Sequence, residues 1–358
     1  MEFLSREMGW QFQPLSVLDS LEVTTTSNEG WVSIVLIGGD RSEIEKIRLL
    51  PNQSVWVLLY ADETYNPLIN FDVLRCSAVK GVLRSYSIPG KSFSTLLRLW
   101  LSYSLVFLKT SNSFSSLLGR LGLVLKGQII IQRQYGIRLM HRFYRKASIN
   151  FVPGYTNLFA KAIINELNIK DERPLSLFTL TEQRQDLICD LTTRRLVACF
   201  VGQKGNLWRQ YLIEQMDLNL PAGSTKLLLR EKFGGTEGSN GAGLASAIEY
   251  LRTLLSSQFA ICPGGNYSSA TFRLVESLIA GCVPVVNQNS PSDPGYEISF
   301  LDFTSLNGRL TWNEKLQQVN LTSPSAIRNE AVRLRKDFTS YLTQISERLL
   351  ELSKDEIN

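Results

Sequence analysis

Residues 257–286 read SQFAICPGGNYSSATFRLVESLIAGCVPVV, and this segment indicates the fold class more clearly than the rest of the chain. The apolar run at 259–263 is typical of a buried strand, and a Gly-Gly-Asn turn follows it. The spacing of the apolar residues predicts a helix over 269–280 that stops at Gly281, before a second strand at 283–286. A strand, a helix and a strand in this order predict a parallel pair, because parallel neighbours need a crossover connection.

The same arrangement recurs in both halves of the chain. The β-branched run 31–37 ends in two glycines, a helix-compatible segment follows, and residues 55–60 form another apolar run. In the second half, the apolar run 196–201 leads into Gly202 and a glycine-containing turn. We therefore expect an α/β protein with two doubly wound, Rossmann-like halves that face a cleft.

Length and linker composition predict the domain boundaries. At 358 residues the chain is longer than a single hydrophobic core usually supports, so two domains are expected. The segment Asp-Glu-Arg-Pro at 171–174 has the composition of a linker between the halves. We predict an N-terminal domain over 1–172 and a C-terminal domain over 173–324. Residues 325–358 are expected to form charged amphipathic helices that pack back across the two domains.

The composition excludes several classes of protein. Hydrophobic residues make up 44% of the chain and charged residues 20%, which is typical of a globular protein rather than a disordered one. The five cysteines include no C-x-x-C pair, which argues against a disulfide framework and a structural zinc site. A single histidine, His141, leaves little material for zinc-enzyme or Ser-His-Asp chemistry. The first residues lack a signal-peptide pattern, so we expect a cytoplasmic protein.

Positive charge is concentrated in one part of the chain. Residues 73–165 contain no carboxylate and carry fourteen lysines and arginines, and the run 96–108 within them is strongly apolar. This segment is either a core helix with solvated charges around it or a basic, aromatic face that rests on anionic lipid at the inner side of a membrane. Nucleic acid is a third partner to consider, but no helix-turn-helix, zinc-finger or RNA-recognition signature accompanies the charge, so we expect none.

Two loops of the second half form the candidate ligand site, because open parallel sheets bind ligands beyond the carboxyl ends of their strands. The helix after the Gly-Gly turn offers free N–H groups and a positive dipole end to an anion. Arg273 and Glu276 project from one face of that helix and suit a phosphate and a ribose diol, although a solvated ion pair would show the same spacing. The candidate binding residues are Gly202, Arg209, Gly264, Gly265, Ser268, Ser269, Thr271, Arg273 and Glu276.

These segments resemble the exostosin-like glycosyltransferases. Residues 257–265 are similar to the family pattern S-x-F-x-[IL]-C-P-x-G, and residues 271–285 are similar to [ST]-F-R-x-x-E-[AS]-[LI]-x-[AS]-G-C-V-P-V. The strand that ends at Gly202, with Arg209 downstream, resembles the upstream F-x-G…R element of the family. Residues 152–155 are similar to a segment that precedes the donor domain in some bacterial relatives.

The resemblance implies a GT-B fold and transfer of a hexosyl or pentosyl group from a nucleotide-sugar, which we expect to be a UDP-sugar. The C-terminal domain would bind this donor, with Glu276 on the ribose hydroxyls and Arg273 and Arg209 on the diphosphate. The N-terminal domain would hold a glycan or lipid-linked saccharide acceptor, in the synthesis of a surface polysaccharide or glycoconjugate. Neither a metal ion nor a cofactor is expected, and no D-x-D metal motif stands in a suitable loop.

The catalytic base is less well defined by the sequence. An inverting transfer needs a base near the acceptor hydroxyl, and Asp62 or Glu63, after the strand at 55–60, are the candidates. His141 is the other titratable candidate on the acceptor side, and its basic, aromatic surroundings suit contact with an acceptor phosphate equally well. A retaining transfer would need no such base, and the sequence leaves the stereochemistry open.

Two other functions remain open from the sequence alone. A Rossmann-type nucleotide-sugar oxidoreductase or epimerase would need G-x-G-x-x-G after its first strand, where this chain has Gly38-Gly39-Asp40. A non-catalytic relative would bind a glycan or a partner enzyme through the same fold. Binding of NAD would favour the oxidoreductase, and the absence of nucleotide binding would favour the non-catalytic protein.

Overall fold

The computed structural model describes most of the chain in seventeen segments, and the structural statements below concern these residues. They are residues 6–8, 11–14, 19–25, 28–37, 41–49, 55–59, 66–85, 93–109, 114–150, 154–168, 176–183, 194–202, 223–229, 242–263, 272–286, 301–302 and 312–354.

The first half contains a six-stranded mixed sheet. Its strands are β1 (Gln11–Pro14), β2 (Asp19–Thr25), β3 (Asn28–Ile37), β4 (Val55–Leu59), β5 (Val79–Arg84) and β6 (Ala147–Asn150). They lie side by side in chain order, with β1, β2 and β3 antiparallel and β3 to β6 parallel. Every residue of β4 is buried, as expected for a central strand that is covered on both faces.

This strand order differs from the doubly wound arrangement that we expected for the first half. The parallel strands β3 to β6 follow one another in a single direction, so this sheet contains no reversal among the described strands. Because crossover connections are right-handed, successive connections in one direction place their helices on the same face. The opposite face therefore needs a cover from elsewhere in the chain.

Among the described residues, four helices lie in the connections between strands of the first sheet. They are α1 (Arg41–Arg48), α2 (Pro67–Arg75), α3 (Phe93–Lys109) and α4 (Phe114–Tyr144). Side chains of α1 and α2 pack with Val35, Val57 and Val82 in a buried cluster on one face of the sheet. Asn66 accepts hydrogen bonds from two backbone N–H groups at the start of α2, and proline at its first position also favours that start.

Helices α3 and α4 form a long hairpin between β5 and β6. They pack against each other, and the Trp100 indole N–H donates to the carbonyl of Val124 at 3.0 Å. The helix expected around 96–108 is therefore present, but it is longer and it has a 31-residue partner. No helix within the described residues is long and apolar enough to cross a membrane.

The second half contains a five-stranded sheet in which every pairing is parallel. Its strands are β7 (Leu196–Gly202), β8 (Thr225–Leu229), β9 (Ser257–Ile261), β10 (Val283–Val286) and β11 (Leu301–Asp302), in the order β11-β10-β9-β7-β8. The parallel pair β9 and β10, predicted from residues 257–286, is present. The helices of this half are α5 (Asn157–Glu166), α6 (Leu177–Gln183), α7 (Ala242–Leu255), α8 (Phe272–Ile279) and α9 (Trp312–Gln318).

Helix α10 (Pro324–Lys354) packs against strands of both sheets. Early in α10, Arg335 donates to the carbonyls of Leu278 and Ile279 at the end of α8. Towards its end, Ser353 accepts from the Trp56 indole N–H at 3.0 Å and from Lys80 through its carbonyl at 2.7 Å. With 31 residues this helix is about 46 Å long, so it reaches from the second sheet to the open face of the first. The domain boundaries themselves stay a prediction.

Candidate functional site

The order of the second sheet identifies where a ligand would bind. From β7 the chain first moves outward to β8, and then returns to the other side of β7 with β9, β10 and β11. The reversal makes β7 and β9 a topological switch point, where the connections on either side run to opposite faces. Doubly wound sheets bind their ligands in the crevice at the carboxyl ends of these two strands.

Arg273 lies at this switch point. It is the second residue of α8, and its Nε–H donates to the carbonyl of Val201 near the end of β7 at 2.5 Å. The guanidinium carbon is 5.2 Å from the centre of the Phe200 ring, within the range of a cation–π contact. These two contacts fix the side chain over the carboxyl end of β7 and leave its terminal nitrogens as further donors.

Gly202, the last residue of β7, makes room for this arginine. Its φ is 153°, a value that residues with side chains rarely adopt. A Cβ atom at this position would overlap the Arg273 guanidinium. Two predicted site residues that are 71 positions apart in the sequence are therefore in direct contact. A side chain at position 202 would strain the backbone and displace the guanidinium.

Glu276 lies one turn after Arg273 and is almost completely buried, with 3% of its surface exposed. Its Oε1 accepts from the backbone N–H of Thr156 at 3.1 Å and from the Thr156 hydroxyl at 2.9 Å. The same hydroxyl caps α5 by accepting from the N–H of Phe159. Glu276 is thus held at the N-terminus of α5. The structure shows Glu276 bonded to Thr156 and Arg273 bonded to Val201, in place of the solvated ion pair that the spacing also allowed.

The surroundings of Glu276 change its acidity. Burial raises the pKa of the Glu276 carboxyl, while the hydrogen bonds from Thr156 and the charge of Arg273 act in the opposite direction. Tyr250 of α7 is a buried neighbour, and the pKa of its hydroxyl is raised by burial and then by the Glu276 carboxylate. The site therefore combines a cation, a carboxyl group and a phenol within a region of low dielectric constant.

Helix α8 is fixed at the end remote from the switch point. Gly281 has φ 72° and ends the helix, with the N–H of Cys282 donating to the carbonyl of Ser277. Arg335 donates to two of the last carbonyls, and the buried Arg194 donates to the carbonyl of Ala280 at 2.8 Å. Cations at a helix C-terminus satisfy free carbonyls and complement the dipole.

The sequence matches the family model of the Exostosin GT47 domain over residues 145–300. Residues 145–300 belong to the exostosin-like glycosyltransferase family. The matched segment runs from β6 through β10, so it contains the switch point, Gly202, Arg273 and Glu276. Membership of this family indicates glycosyltransferase activity. No curated protein matches the chain.

Several residues predicted to form the site of this glycosyltransferase lie outside the described residues. On the donor side these are Arg209, Gly264, Gly265, Ser268, Ser269 and Thr271. On the acceptor side, Asp62 and Glu63 also lie outside them, after the described end of β4 at Leu59. Their roles stay predictions, and of the predicted donor residues the structure brings together Gly202, Arg273 and Glu276.

His141 of α4 is held by a buried arginine. Arg84, at the end of β5, has no exposed surface, and its Nε–H donates to Nε2 of His141 at 3.1 Å, with a second short contact from its terminal nitrogen. Burial lowers the pKa of His141 to about 3, the charge of Arg84 adds to this effect, and a hydrogen bond with the backbone of Lys146 opposes it. The neutral ring uses its lone pair to accept from Arg84, which favours a positioning role over that of a base or a cationic phosphate contact.

Three contacts around the site of this glycosyltransferase were not identified from the sequence. Thr156 meets Glu276 across 120 positions, Arg84 meets His141 across 57, and Arg335 reaches α8 from the C-terminal helix. The pattern of a threonine before an apolar segment does indicate the cap of α5. This pattern does not indicate that Thr156 contacts Glu276. A lone arginine in a strand likewise does not indicate that Arg84 contacts His141.

Proposed function

We propose that this glycosyltransferase binds a nucleotide-sugar, most simply a UDP-sugar, at the switch point of the second sheet. The observation that supports the proposal most strongly is Arg273, which is fixed over the carboxyl end of β7 beside the buried Glu276. We further propose that the two sheets belong to the two domains of a GT-B arrangement, over 1–172 and 173–324, with the donor in the second.

The leaving diphosphate gives Arg273 its role in this proposal. Cleavage of the sugar–phosphate bond increases the negative charge on the nucleoside diphosphate, and a fixed cation stabilises that charge most in the transition state. Arg273 is already oriented by Val201 and Phe200, so little side-chain entropy is lost when the donor binds. Arg209 and the loop 264–271 would add donors, and this mechanism uses protein groups in place of a metal ion.

Glu276 would accept hydrogen bonds from the ribose. A carboxylate has about four lone-pair positions, and Thr156 uses Oε1 for both of its hydrogen bonds. The Tyr250 hydroxyl also lies against this carboxyl and lowers its pKa through a hydrogen bond. A ribose hydroxyl would use the lone-pair positions that Thr156 and Tyr250 leave, without loss of the contact that positions the side chain.

In this proposal the acceptor half of the reaction belongs to the first half of the chain. We place a glycan or a lipid-linked saccharide on the side of the first sheet, and the reaction in the synthesis of a surface polysaccharide or glycoconjugate. Asp62 or Glu63 would act as the base if the transfer inverts the anomeric centre. The contact between His141 and Arg84 supports a positioning role for His141 on this side.

Calorimetric titration with nucleotide-sugars, free nucleotides and NAD tests the proposed class of ligand. We expect saturable binding of at least one nucleoside diphosphate sugar, with most of its affinity kept by the nucleoside diphosphate alone. Binding of NAD in preference to any nucleotide-sugar would instead favour an oxidoreductase or epimerase. If none of the ligands binds, the non-catalytic alternative is favoured.

A further inference from the structure

The long helix α4 carries a line of exposed apolar side chains. Phe114 is 75% exposed and Leu125 is 59% exposed, and both are far more accessible than a side chain in a packed helix interface. The first part of the line consists of Phe114, Leu118, Leu121, Leu125 and Ile129. Leu139 and Phe143 continue it, and the Phe143 side chain is 79% exposed.

The spacing of these residues places them on one face. Successive members are three or four positions apart from Phe114 to Ile129, and Leu139 and Phe143 fall on the same face at 3.6 residues per turn. A different face of the helix packs into the protein through Val124, Ile131 and Ile137. The apolar stripe is therefore a second hydrophobic face, about 43 Å long from Phe114 to Phe143, in addition to the one that packs the helix onto the fold.

The charges around the stripe identify its partner. The hairpin from Phe93 to Tyr144 contains seven arginines and lysines and no aspartate or glutamate. Burial of this stripe against a second copy of the same hairpin would bring cations against cations without a compensating carboxylate. An anionic lipid surface offers both an apolar layer for the stripe and negative headgroups for the cations.

We propose that α4 lies in the plane of an anionic membrane surface, with the stripe Phe114–Phe143 in the boundary between headgroups and acyl chains. The combination of an apolar line, cations on the same hairpin and no carboxylate in its sequence is typical of interfacial helices. This binding goes beyond the proposed function, because it needs neither donor nor acceptor. In the cell it would concentrate the transferase beside a lipid-linked saccharide.

Vesicle sedimentation with the full chain tests this inference. The two probes are vesicles of phosphatidylcholine and vesicles in which part of the phosphatidylcholine is replaced by phosphatidylglycerol. We expect at least about tenfold tighter binding to the anionic vesicles, and weaker binding as salt rises from about 0.1 M to about 1 M, since the Debye length falls from about 10 Å to about 3 Å.

A matched pair of double variants separates membrane binding through the stripe from nonspecific hydrophobic adsorption. The test variant is Leu118→Asn with Leu125→Asn, and the control is Leu49→Asn with Leu68→Asn, two leucines that are also exposed but lie outside the hairpin. All four side chains are accessible, so both proteins should fold, and circular dichroism with thermal unfolding checks this. We expect the test variant to bind anionic vesicles at least about tenfold more weakly, because each buried apolar side chain contributes to interfacial binding. The control should bind like the wild type.

Three results would overturn the proposal, whatever the outcome of the nucleotide titrations. The first is negligible binding of the wild type to both kinds of vesicle. The second is equal binding of the two double variants to anionic vesicles, which would show that charge alone, without the stripe, causes the binding. The third is a wild-type dimer in sedimentation velocity that becomes monomeric in the test variant, which would assign the stripe to contact between copies of the chain.

Discussion

At the level of single residues, the candidate site depends on a contact between one backbone position and one side chain. Gly202 adopts a φ that favours glycine, and the space that a Cβ would occupy there is filled by the guanidinium of Arg273. The Arg273 side chain is in turn fixed by the carbonyl of Val201 and the ring of Phe200. Because residues of β7 fix the Arg273 side chain, a substitution in β7 should move the guanidinium even when Arg273 itself is unchanged.

Replacement of Gly202 by alanine should move Arg273. The new methyl group would overlap the guanidinium, so we expect donor affinity to fall by at least about tenfold, with a loss of unfolding free energy of about 1–3 kcal/mol from backbone strain. Gly223→Ala is the matched control, because Gly223 also has a positive φ of 78° but open space around its Cβ position. Equal donor affinity in the two variants would show that Gly202 does not position Arg273.

The single histidine allows a direct test of its surroundings. The pKa of His141 is lowered to about 3 in the folded protein, from an ordinary value near 6.5. The folded state then binds fewer protons than the unfolded state between these values, so this group makes stability fall as the pH drops below about 6.5. We expect the chemical shifts of the two ring C–H protons of this histidine to stay constant from about pH 5 to 8, and to titrate normally in urea. Normal titration in the folded protein would contradict the buried contact with Arg84.

The residues of the candidate site could be predicted from sequence only where a local pattern carries the information. Arg273 and Glu276 share a helix and a motif, and Gly202 follows an apolar strand, so all three were identified from the chain. The partners of these residues were not, since Thr156 reaches Glu276 from a separate helix. Such contacts depend on how distant elements pack, and a single sequence does not record that packing.

At the scale of elements, helix α8 connects the site to the rest of the second half. Its first turn carries Arg273 to the switch point, and its last carbonyls accept hydrogen bonds from Arg335 and Arg194. Arg335 also donates to the carbonyl of Phe178 and the hydroxyl of Thr181, so one side chain joins α6, α8 and α10. We infer that α10 contributes to the alignment of α8.

Substitution of Arg335 should lower the free energy of unfolding, because this side chain donates to buried carbonyls of two helices. Arg335→Met would leave buried carbonyls in α6 and α8 without this donor, and an unsatisfied buried acceptor costs about 1–3 kcal/mol. We expect a fall in the denaturation midpoint of that size, together with weaker donor binding. The exposed Arg348→Ala on the same helix serves as the control. An unchanged midpoint for Arg335→Met would remove Arg335 from the support of α8.

The prediction of elements succeeded where a periodic pattern is local and failed where strand order is decided by packing. The β9–α8–β10 unit has an apolar strand, a helix stopped by Gly281 and a second apolar strand, and the structure confirms it. The described strands of the first half do not show the doubly wound order that we expected, because β3 to β6 follow in one direction and β1 and β2 add antiparallel strands. Apolar runs indicate that strands exist, but they do not indicate which strands are neighbours.

At the scale of the whole molecule, α10 joins the two halves. Its buried side chains share one continuous core cluster with Ile34 and Trp56 of the first sheet and with Phe259 of the second. The Tyr341 hydroxyl donates to the carbonyl of Asn150 at the end of β6, and Ser353 contacts β4 and β5. Helix α10 thus covers the face of the first sheet that the helices connecting the strands of this sheet leave open.

Calorimetric titration of Arg273→Ala with a nucleotide-sugar that binds the wild type tests whether Arg273 holds the diphosphate of the donor. A hydrogen bond to a charged group contributes about 1.5–3 kcal/mol, so affinity should fall by about 10-fold to 150-fold. Arg328→Ala, an exposed arginine on α10, should bind like the wild type. If Arg273→Ala is folded and binds the donor with wild-type affinity, Arg273 does not hold the diphosphate.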